Sequence, residues 1–306
     1  MKFKTTAIAM AVAGIVAAPV VAQAAADEIY ASARIGVWQK DTGGQSELDI
    51  RSFSSRFGAK GEADLGNGMT GFGRYEWDVD LGEGGGLGVR HRYVGLKGDF
   101  GSVLVGQTYH TFYNFNVGAV DIPWWHSGYN MVSYTSRTDN ALTYSGGTDS
   151  VAFGLTLYMD ADVQNGETDP NAEDGVDGVE AGASFGIGDM TLAIAFQDIA
   201  VVDDAVTGVS LSGVGLGPVM MAFNYQTNDD QDGITLHADI NNFYVHIESL
   251  SDDASGQDPL ALTLGYTQSL GSKTTMYYEI FDFDRDTGNS DDDSTNVMAV
   301  LKYDII

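Results

Sequence analysis

The chain has 306 residues, a formal net charge of −28 at pH 7 and no cysteine. A sequence without cysteine excludes disulfide bonds and thiol chemistry, so stability must come from a hydrogen-bonded sheet and from hydrophobic contact. The excess of 43 acidic over 15 basic residues argues against nucleic acid as a partner, because phosphate groups repel such a surface.

The first 24 residues have the pattern of a secretory signal peptide. Lys2 and Lys4 precede an apolar run of small residues from Ala7 to Val21, and Ala22–Ala24 has the A-x-A form of a cleavage site. Cleavage there leaves a single domain over 25–306, with 13 basic and 43 acidic residues and a net charge of −30. No later run reaches the roughly 18 apolar residues of a membrane helix. Any membrane crossing is therefore expected to use strands.

After residue 27 the sequence divides into sixteen segments of about ten residues, joined by short glycine-rich and long acidic connections in alternation. The long connections are predicted at 39–51, 81–87, 110–136, 161–176, 199–205, 228–232, 251–258 and 284–294. They contain 23 acidic residues against only Lys40, Arg51 and Arg285. Tight turns on one rim and long polar loops on the other are typical of an outer-membrane β-barrel. The acidic rim is either a solvated surface or a place where Ca²⁺ or Mg²⁺ bridges the loops.

Apolar and polar residues alternate within the segments, as in strands that have one apolar face. In the first segment Ile29, Ile35 and Val37 share one face, and Arg34 and Trp38 share the other. Aromatic residues near the segment ends suit the interfacial girdles of a membrane barrel. Sixteen strands enclose an aqueous channel, whereas eight leave a filled interior. We predict an all-β fold, a transmembrane antiparallel β-barrel of about sixteen strands, with a soluble β-protein as the alternative.

Basic residues are concentrated in the first half of the chain. Ten of the 13 that follow the signal peptide precede residue 138, and none occurs from 138 through 272. Charges on a lipid-facing surface are destabilising by about 2–4 kcal/mol each at mid-bilayer, so they are expected to point into the lumen. The alternative is ordinary ion pairing of buried polar groups. The predicted basic wall of a pore constriction consists of Arg34, Arg56, Arg74, Arg90, Arg92 and Arg137, with Glu76 and Asp78 as lumen acids.

The connection over 110–136, here called the aromatic segment, is the longest and differs from the others. It has one acid, Asp121, and is rich in tryptophan, tyrosine and phenylalanine. Such a segment is expected to pack against a surface, and the inside of the barrel wall is available. Asp121 would then face the arginines, and Tyr113, Trp124 and Trp125 are candidates for stacking on solutes. The alternative is an aromatic trimer contact or a sugar platform.

Three stretches resemble the Gram-negative general diffusion porins. Arg90–Gly106 is similar to that family's R-x-A-Y-V-G-L-x-G-D-F-G segment, and Ser55–Gly68 is similar to its S-R-x-G-x-K-G-x-E-D-L-G-N-G segment. Arg137–Tyr144 resembles the stretch that follows the family's constriction loop. The resemblance covers the whole mature chain in layout, and its motifs are concentrated near the N-terminal end.

The resemblance implies a trimeric barrel of sixteen strands whose third long loop folds into the lumen and places acids opposite arginines. By position, Arg56, Arg90 and Arg137 correspond to the family's arginines, and Asp121 is the candidate acid on the loop. The sequence departs from the family at Gln107, where an arginine is common, and in lacking the acidic P-E-F-G-G loop motif. It also ends in isoleucine rather than phenylalanine.

We therefore expect a porin in the cell outer membrane that forms a passive, water-filled channel for small hydrophilic solutes and ions, with cation preference from the net charge. Expected partners are the lipid bilayer, lipopolysaccharide and two further copies in a homotrimer. No catalytic residue, metal ligand or cofactor is predicted, because the sequence shows no nucleophile with its base and no phosphate-binding glycine loop. The alternatives are a sugar-type selective porin, a structural or adhesive barrel without an open channel, and an outer-membrane lipid hydrolase.

Overall fold

The computed structural model describes residues 23–80, 86–129, 131–159, 175–200 and 204–306, with side chains from Glu28 onward. The predicted signal peptide lies almost wholly outside the described residues. So do most of the predicted connections at 81–87 and 161–176 and part of the one at 199–205.

Strands account for most of the described chain, and a single short α-helix, α1 (Thr111–Phe115), occurs in its described part. No helix among the described residues combines the length and hydropathy needed to span a membrane. The strands are β1 (Gln23–Thr42), β2 (Gln45–Ser52), β3 (Ser55–Gly66), β4 (Met69–Val79), β5 (Leu87–Gly98), β6 (Gly101–Gln107), β7 (Ala141–Gly147), β8 (Val151–Met159), β9 (Val176–Ile187), β10 (Met190–Ile199), β11 (Val206–Leu216), β12 (Val219–Thr227), β13 (Gln231–Ile240), β14 (Phe243–Asp252), β15 (Leu260–Ser269), β16 (Thr274–Asp284) and β17 (Ser294–Asp304).

Apart from β2 and β3, each strand is antiparallel to its neighbour in sequence, and β17 pairs with β1, so the sheet closes on itself. β2 and β3 both pair with β1 and are two halves of one barrel strand. They are separated at Phe53 and Ser54, and Ser54 has a positive φ of 58°. The ring therefore contains sixteen strands, which confirms the predicted all-β barrel and its strand number. Among the described strands, closure joins the first strand to the last and so removes the free edges of the sheet.

The short turns at one rim lie where the sequence predicts them, whereas one predicted long connection at the other rim is a tight turn. Asn67 and Asn241 adopt left-handed conformations with φ of 52° and 56° in the short connections predicted there. The predicted long connection at 39–51 is wrong, because β1 and β2 continue through it and meet in a tight turn at Gly43 and Gly44. The acidic residues of that stretch suggested a loop. They alternate with apolar residues along β2 and belong to the ladder.

The strands expose their apolar residues and cover their polar ones. In β13, Ile234 and Leu236 are 44% and 48% exposed, whereas Thr235 and His237 between them are 1% and 2% exposed. In β10, Ile194 and Phe196 are exposed and Gln197 is buried. We call these the apolar and polar faces of the sheet. A belt of exposed apolar side chains around a closed barrel is stable in hydrocarbon and not in water, so the predicted alternation and its orientation are confirmed.

Candidate functional site

The carboxylate of Glu76, on the polar face of β4, is the centre of a basic cluster. Its side chain is 1% exposed. Arg74 Nη2 lies 2.6 Å from Oε2, and Arg90 Nε and Arg56 Nε lie 3.1 Å and 3.9 Å from Oε1. Tyr30 Oη donates a hydrogen bond of 2.9 Å to Oε2. One carboxylate thus faces three guanidinium groups, and the cluster keeps a net positive charge.

Strand register brings these groups together. Gly58 lies opposite both Tyr30 on β1 and Glu76 on β4, and Arg56 lies opposite Asp78. A Cβ atom on Gly58 would stand 2.5 Å from Cζ of the Tyr30 ring. Glycine is therefore needed for the Tyr30 ring to cross β3 and reach Glu76. The predicted lumen acids differ in role, because Glu76 binds the arginines whereas Asp78 forms no ion pair among the described side chains.

Two further predicted arginines flank the cluster. Arg34 Nε donates to Ser32 Oγ over 3.1 Å, and its Cζ lies 6.0 Å from the centre of the Trp124 ring. Arg137 Cζ lies 4.8 Å from the centre of the Tyr109 ring. Burial and the nearby positive charge of Arg90 lower the pKa of the Arg137 guanidinium from its usual value.

Arg92 does not join the cluster. His91 pairs with Glu76 and Val89 pairs with the next residue of β4, so Arg90 is the extra residue of a β-bulge. Arg90 and His91 therefore both reach Glu76. Arg92 follows on the opposite, apolar face, where its side chain is 43% exposed and binds Asp139. The sequence prediction assumed that residues after Arg90 alternate strictly between the two faces of the sheet. The bulge shifts this alternation by one residue.

A cavity of about 610 Å³ is lined by arginines of the basic cluster and by residues of the aromatic segment. Its lining includes Arg34, Arg56, Arg74 and Arg90 together with Tyr109, Tyr113, Asp121 and Trp124, and Arg90 Nη2 donates to Tyr109 Oη over 3.4 Å. Asp121 accepts hydrogen bonds from Tyr113 Oη at 2.5 Å and from Ser127 Oγ at 2.6 Å. Rings of Tyr109 and Tyr113 are stacked with centroids 3.8 Å apart. The predicted acid and arginines thus line one space, without a direct ion pair of Asp121 to any described arginine.

The predicted aromatic residues occupy different positions. Trp124 lines the cavity and stacks on Tyr277 with ring centroids 4.4 Å apart. Trp125 packs against Phe53 with centroids 5.1 Å apart in an edge-on arrangement, and the Trp124 ring also lies 6.1 Å from Phe53. Both tryptophans pack against the hydrophobic cluster around Phe53, but only Trp124, together with Tyr113, also lines the cavity.

Sequence reasoning missed the carboxylates that anchor the aromatic segment. Glu279 on β16 accepts hydrogen bonds from the backbone N–H groups of Trp124 at 2.6 Å and of Trp125 and His126 at 3.1 Å each. The same carboxylate lies 2.8 Å from His126 Nδ1. Glu248 on β14 accepts from the backbone N–H of Tyr129 at 2.7 Å.

Glu180 on β9 anchors the start of the segment. It is fully buried and accepts from the N–H of Phe112 at 2.9 Å and from Tyr158 Oη at 2.7 Å. Gln197 on β10 bonds both the N–H and the C=O of Thr135, at 2.8 Å and 2.9 Å. The available signal in the sequence was a single glutamate at polar-face parity within each of the strands β9, β14 and β16.

The histidines of the aromatic segment have structural contacts. His110 is fully buried, and its two ring nitrogens lie 2.9 Å from Thr143 Oγ1 and from the C=O of Thr138. Burial lowers the pKa of His110 to about 4, so it is neutral at pH 7. Among the described residues, no three histidine, aspartate or glutamate side chains are placed to hold a metal ion together.

A closed ring of sixteen strands with an apolar outer belt, and a polar face that carries a basic cluster, defines a transmembrane β-barrel of the outer-membrane type. A family model described as Gram-negative porin matches residues 5–305. The chain therefore belongs to the Gram-negative porin family, and its location is the outer membrane.

Individual relatives support the same class. The "Major outer membrane protein P.IB" of Neisseria gonorrhoeae is 32% identical over 101 residues, which are 32% of this chain and 26% of that protein. An anion-selective porin from Comamonas acidovorans has a similar structure, with a TM-score of 0.71 and 17% identity over 92% of this chain and 99% of that one. The trimer form of OmpT from Vibrio cholerae gives a TM-score of 0.68 and 16% identity over 92% and 100% of the two chains. At these identities the structures establish the fold.

Proposed function

We propose that the protein forms a passive, water-filled channel for small hydrophilic solutes and ions across the outer membrane. The observation that carries this proposal is the cavity between the arginines and Asp121, which opens on the polar face of a sixteen-stranded ring. Barrels of this size leave room for an aqueous pore. Solutes would be limited by the width of the cavity and oriented by the field between its basic and acidic sides.

The aromatic segment is proposed to fold into the lumen and narrow the channel. Its residues bond to polar-face side chains on strands from β9 to β16, including Glu180, Asn224, Glu248 and Glu279. A segment outside the barrel would meet the apolar face instead. Contacts with polar-face groups across half of the ring therefore favour a path through its interior.

Ion preference is proposed to depend on the cluster around Glu76. The sequence predicts cation preference from the net charge of −30, much of it in the exposed connections. Exposed charges are screened within about 8–10 Å at physiological salt, whereas partly buried charges at a constriction are screened less. Five arginines near one buried glutamate therefore favour anions at the narrow point. The selectivity of the Comamonas acidovorans porin named in its structure agrees with this proposal.

Current recording from the protein in planar lipid bilayers tests both the proposed channel and its proposed ion preference. The expected result is stepwise conductance, with a reversal potential in a KCl gradient that shows chloride preference. Cation preference would show that the acidic rim outweighs the arginines, and zero conductance of correctly folded protein would contradict the channel itself. Three-step closures would support the proposed homotrimer, in line with the trimer form of OmpT. Lipid and lipopolysaccharide are proposed to cover the apolar face.

A sugar-type selective porin is the second candidate. The stacked rings of Tyr109 and Tyr113, together with Trp124, form an aromatic wall on the cavity. Sugar rings stack on such walls through their apolar faces. Block of the current by a sugar at low concentration, and its loss in Trp124→Ala, would favour this candidate over general diffusion.

A further inference from the structure

Two buried histidines face each other on neighbouring strands, away from the basic cluster. His237 on β13 and His246 on β14 are directly paired in register. Their side chains lie on the polar face, and the residues are 2% and 1% exposed. The ring centroids are 5.6 Å apart and the ring planes are inclined by 57°. Directly paired residues of an antiparallel ladder have Cβ atoms close enough for such side chains to act together.

The hydrogen bonding of this pair is incomplete. His246 Nε2 lies 2.9 Å from Glu248 Oε1, and because an ionised carboxylate only accepts, this nitrogen carries the proton. The lone pair of His246 is therefore on Nδ1, which has no hydrogen-bond partner among the described groups. Neither ring nitrogen of His237 has a hydrogen-bond partner among the described residues. Three buried ring nitrogens without partners in one place are unusual, since buried polar atoms are nearly always bonded.

A metal ion would satisfy this arrangement. With metal–nitrogen bonds of about 2.0–2.1 Å, two imidazoles bound at a tetrahedral angle have ring centroids roughly 5 Å apart. The observed centroid separation of 5.6 Å is close to that value. In many metal sites a carboxylate accepts a hydrogen bond from the histidine nitrogen that does not bind the metal. Glu248 accepts such a bond from His246 Nε2.

We propose that His237 and His246 form a two-imidazole site for a borderline divalent transition metal such as Cu²⁺ or Zn²⁺, with Glu248 orienting His246. Imidazole nitrogen favours these ions over Ca²⁺ and Mg²⁺, which prefer oxygen. Because the described residues offer no third histidine, aspartate or glutamate placed to bind with them, water would complete the coordination. Glu248 also accepts the N–H groups of Gly128 and Tyr129, so a bound metal would stiffen the attachment of the aromatic segment.

Titration of the untagged, detergent-folded protein with CuCl₂ tests the site, followed by electron paramagnetic resonance and calorimetry. Because both histidines are covered, copper is supplied to the folded protein and, separately, during refolding. The expected result is one Cu²⁺ per chain with magnetic coupling to two imidazole nitrogens, displaced by Zn²⁺ only in large excess because Cu²⁺ binds such sites more tightly. His237→Gln and His246→Gln should each weaken binding by at least about tenfold, because loss of an orienting group alone has that effect.

His110→Gln is the matched control, since both nitrogens of His110 already have partners. It should bind copper like the unmodified protein. A copper signal with oxygen ligands only, as from exposed carboxylates, or unchanged binding by His237→Gln would overturn the proposal. If a variant does not fold, the number of nitrogens coupled to copper in the unmodified protein still decides. None of these outcomes depends on whether the barrel conducts ions.

Discussion

The anchoring carboxylate of β16 allows the sharpest test of how the aromatic segment is held. Glu279 is 1% exposed and receives five hydrogen bonds, three from the backbone of Trp124 to His126, one at His126 Nδ1 and one from Tyr244 Oη. Glu279→Gln keeps the shape and one acceptor oxygen. It removes the charge and replaces the other oxygen with an NH₂ group that cannot accept.

At least two of the five donors lose their acceptor in this variant. Hydrogen bonds to charged groups contribute about 1.5–3 kcal/mol each, so the anchor weakens by roughly 3 kcal/mol or more. That is about a hundredfold shift in the equilibrium between the attached and detached segment. Side chains on β9, β10 and β14 still bond the rest of the aromatic segment, so the barrel should remain folded. Only the part of the segment around Trp124 is expected to move.

Single-channel recording is the assay. Glu279→Gln should show larger open-channel current noise and additional conductance levels, because a detached segment would change the width of the proposed constriction. Glu62→Gln makes the same chemical change at an exposed ion pair with Lys97 and should behave like the unmodified protein. Noise and conductance indistinguishable from those of the unmodified protein, in folded Glu279→Gln, would refute the anchoring role of this carboxylate.

Three further predictions concern the basic cluster and its surroundings. Arg90→Gln should shift the reversal potential toward cations, whereas Arg92→Gln on the apolar face should not; equal shifts would contradict the bulge assignment. Gly58→Ala should destabilise the barrel by about 1–3 kcal/mol in urea unfolding, because a Cβ would overlap the Tyr30 ring; unchanged stability would contradict that packing. The pKa of His110 is about 4 in the folded protein, below its unfolded value, so stability is full above about pH 6.5 and falls by up to about 3 kcal/mol toward pH 4. His110→Gln should flatten this pH dependence, and an unaltered profile would assign it to other groups.

Much of the fold was accessible from local patterns. Alternation of polar and apolar residues gave the strands and their outward-facing side chains, and turn residues such as Asn67 and Asn241 marked one rim. In a barrel of consecutive antiparallel strands, neighbours in sequence are neighbours in space. For that reason the grouping of Arg56, Arg74 and Arg90 was also predictable.

Errors arose where a local pattern is ambiguous. Acidic residues near position 47 suggested a loop, although on strands that extend past the membrane they are as compatible with a solvated ladder. Arg92 was assigned by counting in steps of two, and a single extra residue at Arg90 reverses the face of everything on one side of it. Neither the bulge nor the strand extension has an unambiguous local signal.

The sequence by itself determined the class of the protein, the number of strands and which face of each strand is apolar and exposed, because these depend on periodicity and turn chemistry over a few residues. Only the tertiary structure decided which groups meet across long separations: Glu279 with Trp124, Glu180 with Phe112, and the aromatic segment with the arginines. Those contacts depend on strand register, bulges and the path of one long connection. They are set by the sum of many interactions between residues far apart in the chain, which no local pattern encodes.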